Sequence, residues 1–277
     1  MSGRICLQAG GPPLVMGILN VTPDSFSDAG RFSRLDAALA HAEAMAAAGA
    51  AIIDIGGEST RPGAPPVTEV EEMRRVVPVI EALARRIPCL LSVDTSKPNV
   101  MRAAVDAGAG MINDVHALRR PDALATAAGL GVPVCLMHMQ GEPASMQVAP
   151  AYLDVVAEVR GFLATRIAAC EAAGMPRASL LIDPGFGFGK DLSHNLQLLR
   201  SLREFTGLGL PVLVGLSRKA LIGALTGKPV GDRLHGSVAL AAYAALQGVS
   251  VIRVHDVGPT VDALRVIGAV IGATVDG

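Results

Sequence analysis

LLSVDTSKPNVMRAAVDAGAGMIND, residues 90–114, decides the fold. Two short apolar runs, LLSVD (90–94) and MIND (111–114), end on polar or charged groups, Asp94 and the pair Asn113 and Asp114, with Ala-rich sequence between them. The same unit recurs on both sides. LVMGILN ends on Asn20, AIIDIGG leads to Glu58 and Thr60, VCLMH ends on His138, LLID on Asp183, VLVGLSRK on Lys219, and VIRVH on Arg253 and His255. Ala- and Leu-rich stretches with helical spacing lie between these runs, at 37–48, 70–86, 155–173 and 237–247 among others. Eight alternations of strand and helix predict an α/β fold of the (β/α)8, or TIM-barrel, type, whose ligand site lies at the carboxyl ends of the strands. The polar residues that close the runs are therefore the candidate site.

At 277 residues and 51% hydrophobic composition, the chain matches one barrel domain spanning 1–277. A formal charge of -1, no block of like charges and 3% aromatic residues disfavour binding to nucleic acid or to an anionic membrane surface. The first ten residues hold no sustained apolar segment of the secretory kind, and no run approaches the roughly 20 apolar residues of a membrane span. Cys6, Cys89, Cys135 and Cys170 are dispersed without a CxxC pair, and read as reduced thiols of a cytoplasmic protein.

Three loops stand out on the expected catalytic face: 22–34 after strand one, 58–68 after strand two and 140–150 after strand five. The first two are long for βα connections and rich in turn formers, which predicts ordering around ligand. GFGFGK (185–190) follows a strand but fits neither phosphate loop, because its third glycine falls too early for the dinucleotide fingerprint and Asp191 stands where a Walker loop needs Ser or Thr. Its glycines instead allow close approach to a flat ligand beside Asp183, with Phe186 and Phe188 as apolar walls.

Asp94, Asn113 and Asp183 close three separate apolar strands, where a carboxylate needs a complementary donor. Lys219 is one candidate donor, and a ligand with amide-like N–H groups, such as a 2-amino-4-oxo-pyrimidine edge, is another. The alternative is a buried ion-pair network that only ties strands together, and Asp54 reads equally well in that role. A second group comprises Asn20, Thr60, Arg61, Arg253 and His255. Arg253 and His255 share one strand face, and with Asn20 as an oxygen ligand the group suits a di- or triphosphate with its Mg²⁺. Ser217-Arg218-Lys219 precedes a helix-like stretch and could present backbone N–H groups to an anion. A heterocycle at depth, a phosphate near the first strand and an anion near the seventh helix together describe group transfer between two small-molecule substrates. His138 reads as pocket lining or as packing, and His41, His116, His194 and His235 as ordinary, partly exposed residues.

GILNVTPDSFSDAGRF, DIGGESTRPGA, SVDTSKPNVMRAAVDAGAGMINDV, MHMQGEPASMQ, LIDPGFGFGK, GLSRKALI and IRVHDV, in that order, resemble the dihydropteroate synthase family over nearly the whole chain. The resemblance implies a TIM-barrel transferase that joins 6-hydroxymethyl-7,8-dihydropterin diphosphate to 4-aminobenzoate, releasing diphosphate on the route to folate. It implies pterin contacts at Asp94, Asn113, Asp183 and Lys219, and a diphosphate site at Asn20, Thr60, Arg253 and His255, with Asn20 the Mg²⁺ contact. It places 4-aminobenzoate against Phe26, Pro62, Phe188, Ser217, Lys219 and Ala220, and it gives Lys219, Arg253 and His255 the catalytic roles. It also implies a homodimer, for which the apolar sequence near 261–273 offers a surface. Two departures are visible: Ala220 stands where many members carry Ser, and Ala29 where Gly is common. The alternative readings are a pterin-binding paralogue without turnover and the pterin barrel of a methyltetrahydrofolate methyltransferase, which needs neither the SRK segment nor the first two loops. Diphosphate is a good leaving group once its charge is neutralised, and the electron-rich dihydropterin can spread a cation at its methylene, so a dissociative path needs no protein nucleophile.

Overall fold

In the computed structural model, which describes residues 13–22, 31–59, 63–142 and 146–272, strand and helix alternate from Leu14 to Val270. The first half comprises β1 (Leu14–Asn20), α1 (Arg31–Ala47), β2 (Ile52–Gly56), α2 (Glu69–Leu83), β3 (Leu90–Asp94), α3 (Pro98–Asp106), β4 (Met111–Asp114) and α4 (Ala123–Leu130). The second comprises β5 (Val134–Met137), α5 (Val155–Ala172), β6 (Leu180–Asp183), α6 (Leu192–Arg200), α7 (Leu202–Thr206), β7 (Leu213–Gly215), α8 (Ala220–Thr226), α9 (Leu234–Leu246), β8 (Val251–Val254) and α10 (Val257–Val270). The strands are parallel, in the order β6-β5-β4-β3-β2-β1-β8-β7. A bridge between Ile182 and Val212, with the Ile182 N–H donating to the Pro211 carbonyl at 3.1 Å, joins the two ends and closes the barrel.

Alternation along each strand sorts the side chains into two cores. Val15, Ile53, Val93, Ile112, Leu136, Ile182, Val214 and Ile252 belong to one continuous apolar layer with helix residues such as Ala42, Ile80, Val100 and Leu163. Met16, Ile52, Met111, Cys135, Leu181, Leu213 and Val251 pack against one another as a separate, fully buried floor inside the barrel. Two residues further along the same strands stand Asp54, Asn113, Asp183 and Arg253. The interior is thus hydrocarbon at the amino end and charged at the carboxyl end, where a barrel carries its ligand site.

Local sequence explains where several helices begin. The Thr68 hydroxyl accepts from the Glu71 N–H at 3.3 Å at the start of α2, whose first turn holds Glu69, Glu71 and Glu72 against the positive end of the helix dipole. Pro98 opens α3, and Asp154 caps α5 by accepting from Val156 and Ala157 at 3.0 Å each. Helix α1 starts at Arg31, inside the stretch that the sequence reads as loop. Arg31, Ser33, Arg34 and Asp36 surround Phe32 and Leu35 in the sequence there, so the Ala- and Leu-rich pattern becomes visible only from 37. No described helix is long and apolar enough to cross a membrane.

Candidate active site

The centre of the charged end is Arg253. Its Nε donates to Asp54 Oδ2 at 2.6 Å and its Nη2 to Asp94 Oδ2 at 2.8 Å, while Asn113 Nδ2 donates to the same Asp54 oxygen at 3.0 Å. Two clusters that the sequence reading keeps apart, one of carboxylates and one of phosphate donors, are therefore joined through one guanidinium. Asp54, for which the sequence leaves a purely structural part open, is fully buried and holds both Asn113 and Arg253. Its Oδ1 has no hydrogen-bond partner among the described residues. Burial raises the Asp94 pKa to about 7 despite the attraction of Arg253, with Asp54 adding to the rise. Desolvation works against the Arg253 cation, but Asp54 and Asp94 outweigh it and raise its pKa.

Across the barrel, Asp183 ends β6 and accepts from the Gly185 N–H at 2.7 Å. Burial nevertheless lifts its pKa to about 6, against the pull of that N–H and of Lys219. Lys219 follows β7, and its ammonium stands 4.2 Å from the centre of the Phe188 ring, within cation–π range. Desolvation lowers its pKa to about 8, although Asp183 opposes this. Gly187 has φ +78°, and a Cβ there would lie 3.3 Å from Lys219 Cδ, so a side chain would be strained and would press on the lysine.

The SRK segment turns sharply, with Arg218 at φ +57°. Its side chain forms a two-point bridge to Asp256, at 3.0 and 2.6 Å, and its N–H donates to Ser237 Oγ at 2.9 Å. Arg233 donates through Nη1 to the Arg218 carbonyl at 3.1 Å and the Lys219 carbonyl at 3.4 Å. Ser217 Oγ lies 3.0 Å from His255 Nδ1 and accepts the His255 N–H at 3.2 Å. Ala220 is the exposed first residue of α8.

Asn20 ends β1 with its Oδ1 beside Gly56, on whose other side lies the Asp94 carboxylate. Nearby, Lys97 Nζ donates to Glu58 Oε2 at 2.6 Å and to buried Glu72, while Glu58 Oε1 accepts the Val67 N–H at 2.8 Å. Burial raises the Glu72 pKa, against the pull of Lys97. A cavity of about 610 Å³ opens over β2, β3 and β4, lined among others by Glu58, Asp94, Thr95, Lys97, His116 and Glu142.

The structure thus brings Asp94, Asn113 and Arg253 together, sets Asp183, Lys219 and Phe188 together, and couples Ser217 to His255. Phe26, Thr60 and Pro62, with Arg61 and Ala29, lie outside the described residues. The sequence reading singled out Glu58 but missed its partners Lys97 and Glu72, and the bracket of Arg233 on the SRK segment, because none of these three sits at a strand end. Asp54 did carry a signal, as a carboxylate inside an apolar strand. His116 corrects the expectation of an ordinary, partly exposed histidine: it is buried, 3.3 Å from Arg120 Nη2. His194 forms a capping box with Asp191 at the start of α6.

Comparison with known proteins places this geometry. Residues 16–255 match the pterin binding enzyme family. The chain is 56% identical over 261 residues to dihydropteroate synthase of Escherichia coli (strain K12), covering 94% of this chain and 93% of that protein. It is 54% identical over 254 residues to dihydropteroate synthase of Haemophilus influenzae, covering 92% of each. Among solved structures, Xanthomonas albilineans dihydropteroate synthase with 4-aminobenzoic acid superposes with a TM-score of 0.90 at 57% identity, covering 95% of this chain and 94% of that one. The same enzyme in complex with 7,8-dihydropteroate gives 0.86 at 55% identity, covering 95% of each chain. With the barrel, the strand-end carboxylates and this likeness over nearly its full length, the chain belongs to the dihydropteroate synthase family.

Proposed function

We infer that this chain is a transferase that condenses 6-hydroxymethyl-7,8-dihydropterin diphosphate with 4-aminobenzoate, giving 7,8-dihydropteroate and diphosphate. The observation that carries the reading is the set of strand-end groups, partly buried Asp94 with buried Asn113 and Asp183, facing Lys219 above an apolar floor, in a member of this family. A flat pterin buries its faces against apolar walls and offers its 2-amino and ring N–H groups to Asp183 and Asp94. Asn113 meets a donor–acceptor pair, and Lys219 a ring carbonyl or nitrogen.

The diphosphate belongs with Asn20, Thr60, Arg253 and His255. Arg253 commits Nε and Nη2 to carboxylates, and its remaining N–H donors serve the leaving group. Mg²⁺ fits this donor set: Asn20 supplies an uncharged oxygen, and no group of three or more His, Cys, Asp or Glu side chains able to hold a metal occurs among the described residues. That suits an ion that takes one or two protein oxygens and fills its shell with substrate phosphate and water. When bound, it neutralises charge on the departing diphosphate. The methylene C–O bond breaks, the ring spreads the positive charge, and the arylamine nitrogen forms the new C–N bond and releases a proton. Phe26, Pro62, Phe188, Ser217 and Ala220 hold the aminobenzoate, with Lys219 between the two substrates.

Two further readings accompany this one. Exposed Val266, Val270 and Ile271 on and after α10 support a homodimer, which light scattering tests. The free thiols Cys89, Cys135 and Cys170 support a reducing, cytoplasmic location.

The deciding experiment follows diphosphate release from the dihydropterin diphosphate with Mg²⁺ present. Release that appears with 4-aminobenzoate, matched by dihydropteroate formation, is the expected result. No release with or without 4-aminobenzoate would overturn the catalytic reading in favour of pterin binding alone.

A further inference from the structure

Lys190 closes the GFGFGK segment and has no part in the reaction as derived above. It is 2% exposed, burial lowers its pKa to about 7 against the pull of Asp183, and as an ammonium it has a full set of acceptors: His138 Nδ1 at 2.9 Å, the Gly185 carbonyl at 2.9 Å and the Phe188 carbonyl at 3.0 Å. An ammonium carries three donors, so the segment has wrapped its own carbonyls around its own lysine. Gly185 permits this, because at φ +71° a Cβ would lie 1.8 Å from the His138 carbonyl oxygen. His138 packs edge-on to Phe162, with ring centres 4.9 Å apart, so its Nδ1 acceptor is fixed in place. Burial first and Lys190 second hold the His138 pKa down to about 3, so the imidazole is neutral and can accept.

Besides the Gly185 N–H, which donates to the Asp183 carboxylate at 2.7 Å, the other fastenings of this segment are neutral. Gly187 N–H donates to Asn195 Oδ1 at 2.8 Å, the Tyr152 hydroxyl donates to the Gly189 carbonyl at 2.8 Å, and Gln147 donates to the Gly187 carbonyl. Lys190 alone grips the Phe188 carbonyl and the Gly185 carbonyl at once. Between those carbonyls the chain carries Phe188 to its place below the Lys219 ammonium.

We propose that Lys190 is a positioning residue, whose buried ammonium, braced on His138, fixes the Phe188 ring against Lys219 and so shapes the arylamine side of the site. This rests on the reading that Phe188 lines the aminobenzoate pocket. Removing the ammonium frees the Phe188 carbonyl, leaves the Gly185 carbonyl only the Phe188 N–H at 3.1 Å and lets the ring drift, while Asp94 and Asn113 stay on other strands and Asp183 keeps the Gly185 N–H. The loss therefore falls on the second substrate more than on the first.

The test compares Lys190→Met, His138→Phe and Phe188→Ala, with Leu83→Ala in α2 as a destabilised control away from the segment. Lys190→Met is expected to raise KM for 4-aminobenzoate about tenfold, with the dissociation constant for the dihydropterin diphosphate changed by less than about threefold. His138→Phe keeps the ring packed on Phe162 but removes one acceptor, and is expected to shift the same KM in the same direction by a smaller factor. If Phe188→Ala leaves that KM unchanged, the pocket reading fails and this inference goes with it. If Phe188→Ala raises it but Lys190→Met does not, or if Lys190→Met shifts both substrates equally as Leu83→Ala would, Lys190 is only a structural staple. Should Lys190→Met not fold, Lys190→Gln and His138→Phe decide, and an unchanged KM in both overturns the proposal.

Discussion

Asp183 shows how one carboxylate can serve binding at the expense of folding. Its pKa rises from the ordinary 3.8 to about 6, chiefly through burial, so the folded chain holds that proton more tightly than the unfolded chain does. The group's favourable contribution is therefore complete below pH 3.8 and is lost as pH rises through about 6. Asn at this position cannot ionise but keeps an oxygen for the Gly185 N–H. We expect Asp183→Asn to melt a few °C above the parent at pH 7.5 and to show no such gain at pH 4. Its pterin affinity should fall about 10- to 100-fold, the loss of a charge-assisted hydrogen bond. Melting curves across that range, with calorimetry at pH 7.5, check both, and a gain that persists at pH 4 would sink the argument. Asp94, Asn113, Asp183 and Lys219 were legible as candidates because each closes or follows an apolar run. The bond from Arg253 to Asp54 was not, since 199 residues separate the partners and only the pairing of β8 with β1 brings Arg253 within reach of β2.

At the scale of elements, the turn between β7 and α8 depends on a side chain from outside it. Gly223 lies in α8, and a Cβ there would stand 2.2 Å from Arg233 Nη2. Ala at 223 therefore displaces the guanidinium that holds the Arg218 and Lys219 carbonyls. We expect Gly223→Ala and Arg233→Met each to cost about 1–3 kcal/mol in urea unfolding and to lower kcat/KM. Both act on one contact, so the double variant should cost clearly less than the two single costs added together. Full additivity would mean that the glycine and the arginine do not act through each other. The sequence revealed the SRK segment but not this support, because Arg233 belongs to a polar connector with no periodic pattern. Strand positions were easier to read than helix starts: β1, β3, β4 and β6 coincide with the apolar runs, whereas α1 begins six residues before the expected 37. A strand buried on both faces is apolar at nearly every residue, while a helix's first turn is written in caps and turn formers that loops share.

For the whole molecule, the seam between β6 and β7 is the thinnest join in the barrel, resting on the Ile182–Val212 bridge and the Ile182 bond to Pro211. Asp183 stands on one side of this seam and Lys219 on the other. A pterin held by both ties the two edges together, so the ligand should suppress local opening there more than elsewhere. We expect saturation with a pterin analogue to slow exchange of the Ile182 amide at least about tenfold more than that of Ile53 in β2. Equal slowing at both amides would show that ligand stabilises the barrel evenly.

The grip of Arg253 on Asp94 has a practical corollary for anyone unfolding this protein. A 2-amino-4-oxo-pyrimidine edge is a cyclic acylguanidine, and the side chain already on Asp94 is a guanidinium, so the free guanidinium ion belongs to the same chemical series. Guanidinium chloride should therefore inhibit as a competitor of the pterin substrate at concentrations well below those that denature. Sodium chloride at equal ionic strength should not reproduce the effect. The common denaturant is then also a weak ligand of the native state, which it stabilises at low concentration, so urea and guanidinium titrations should extrapolate to different folding free energies.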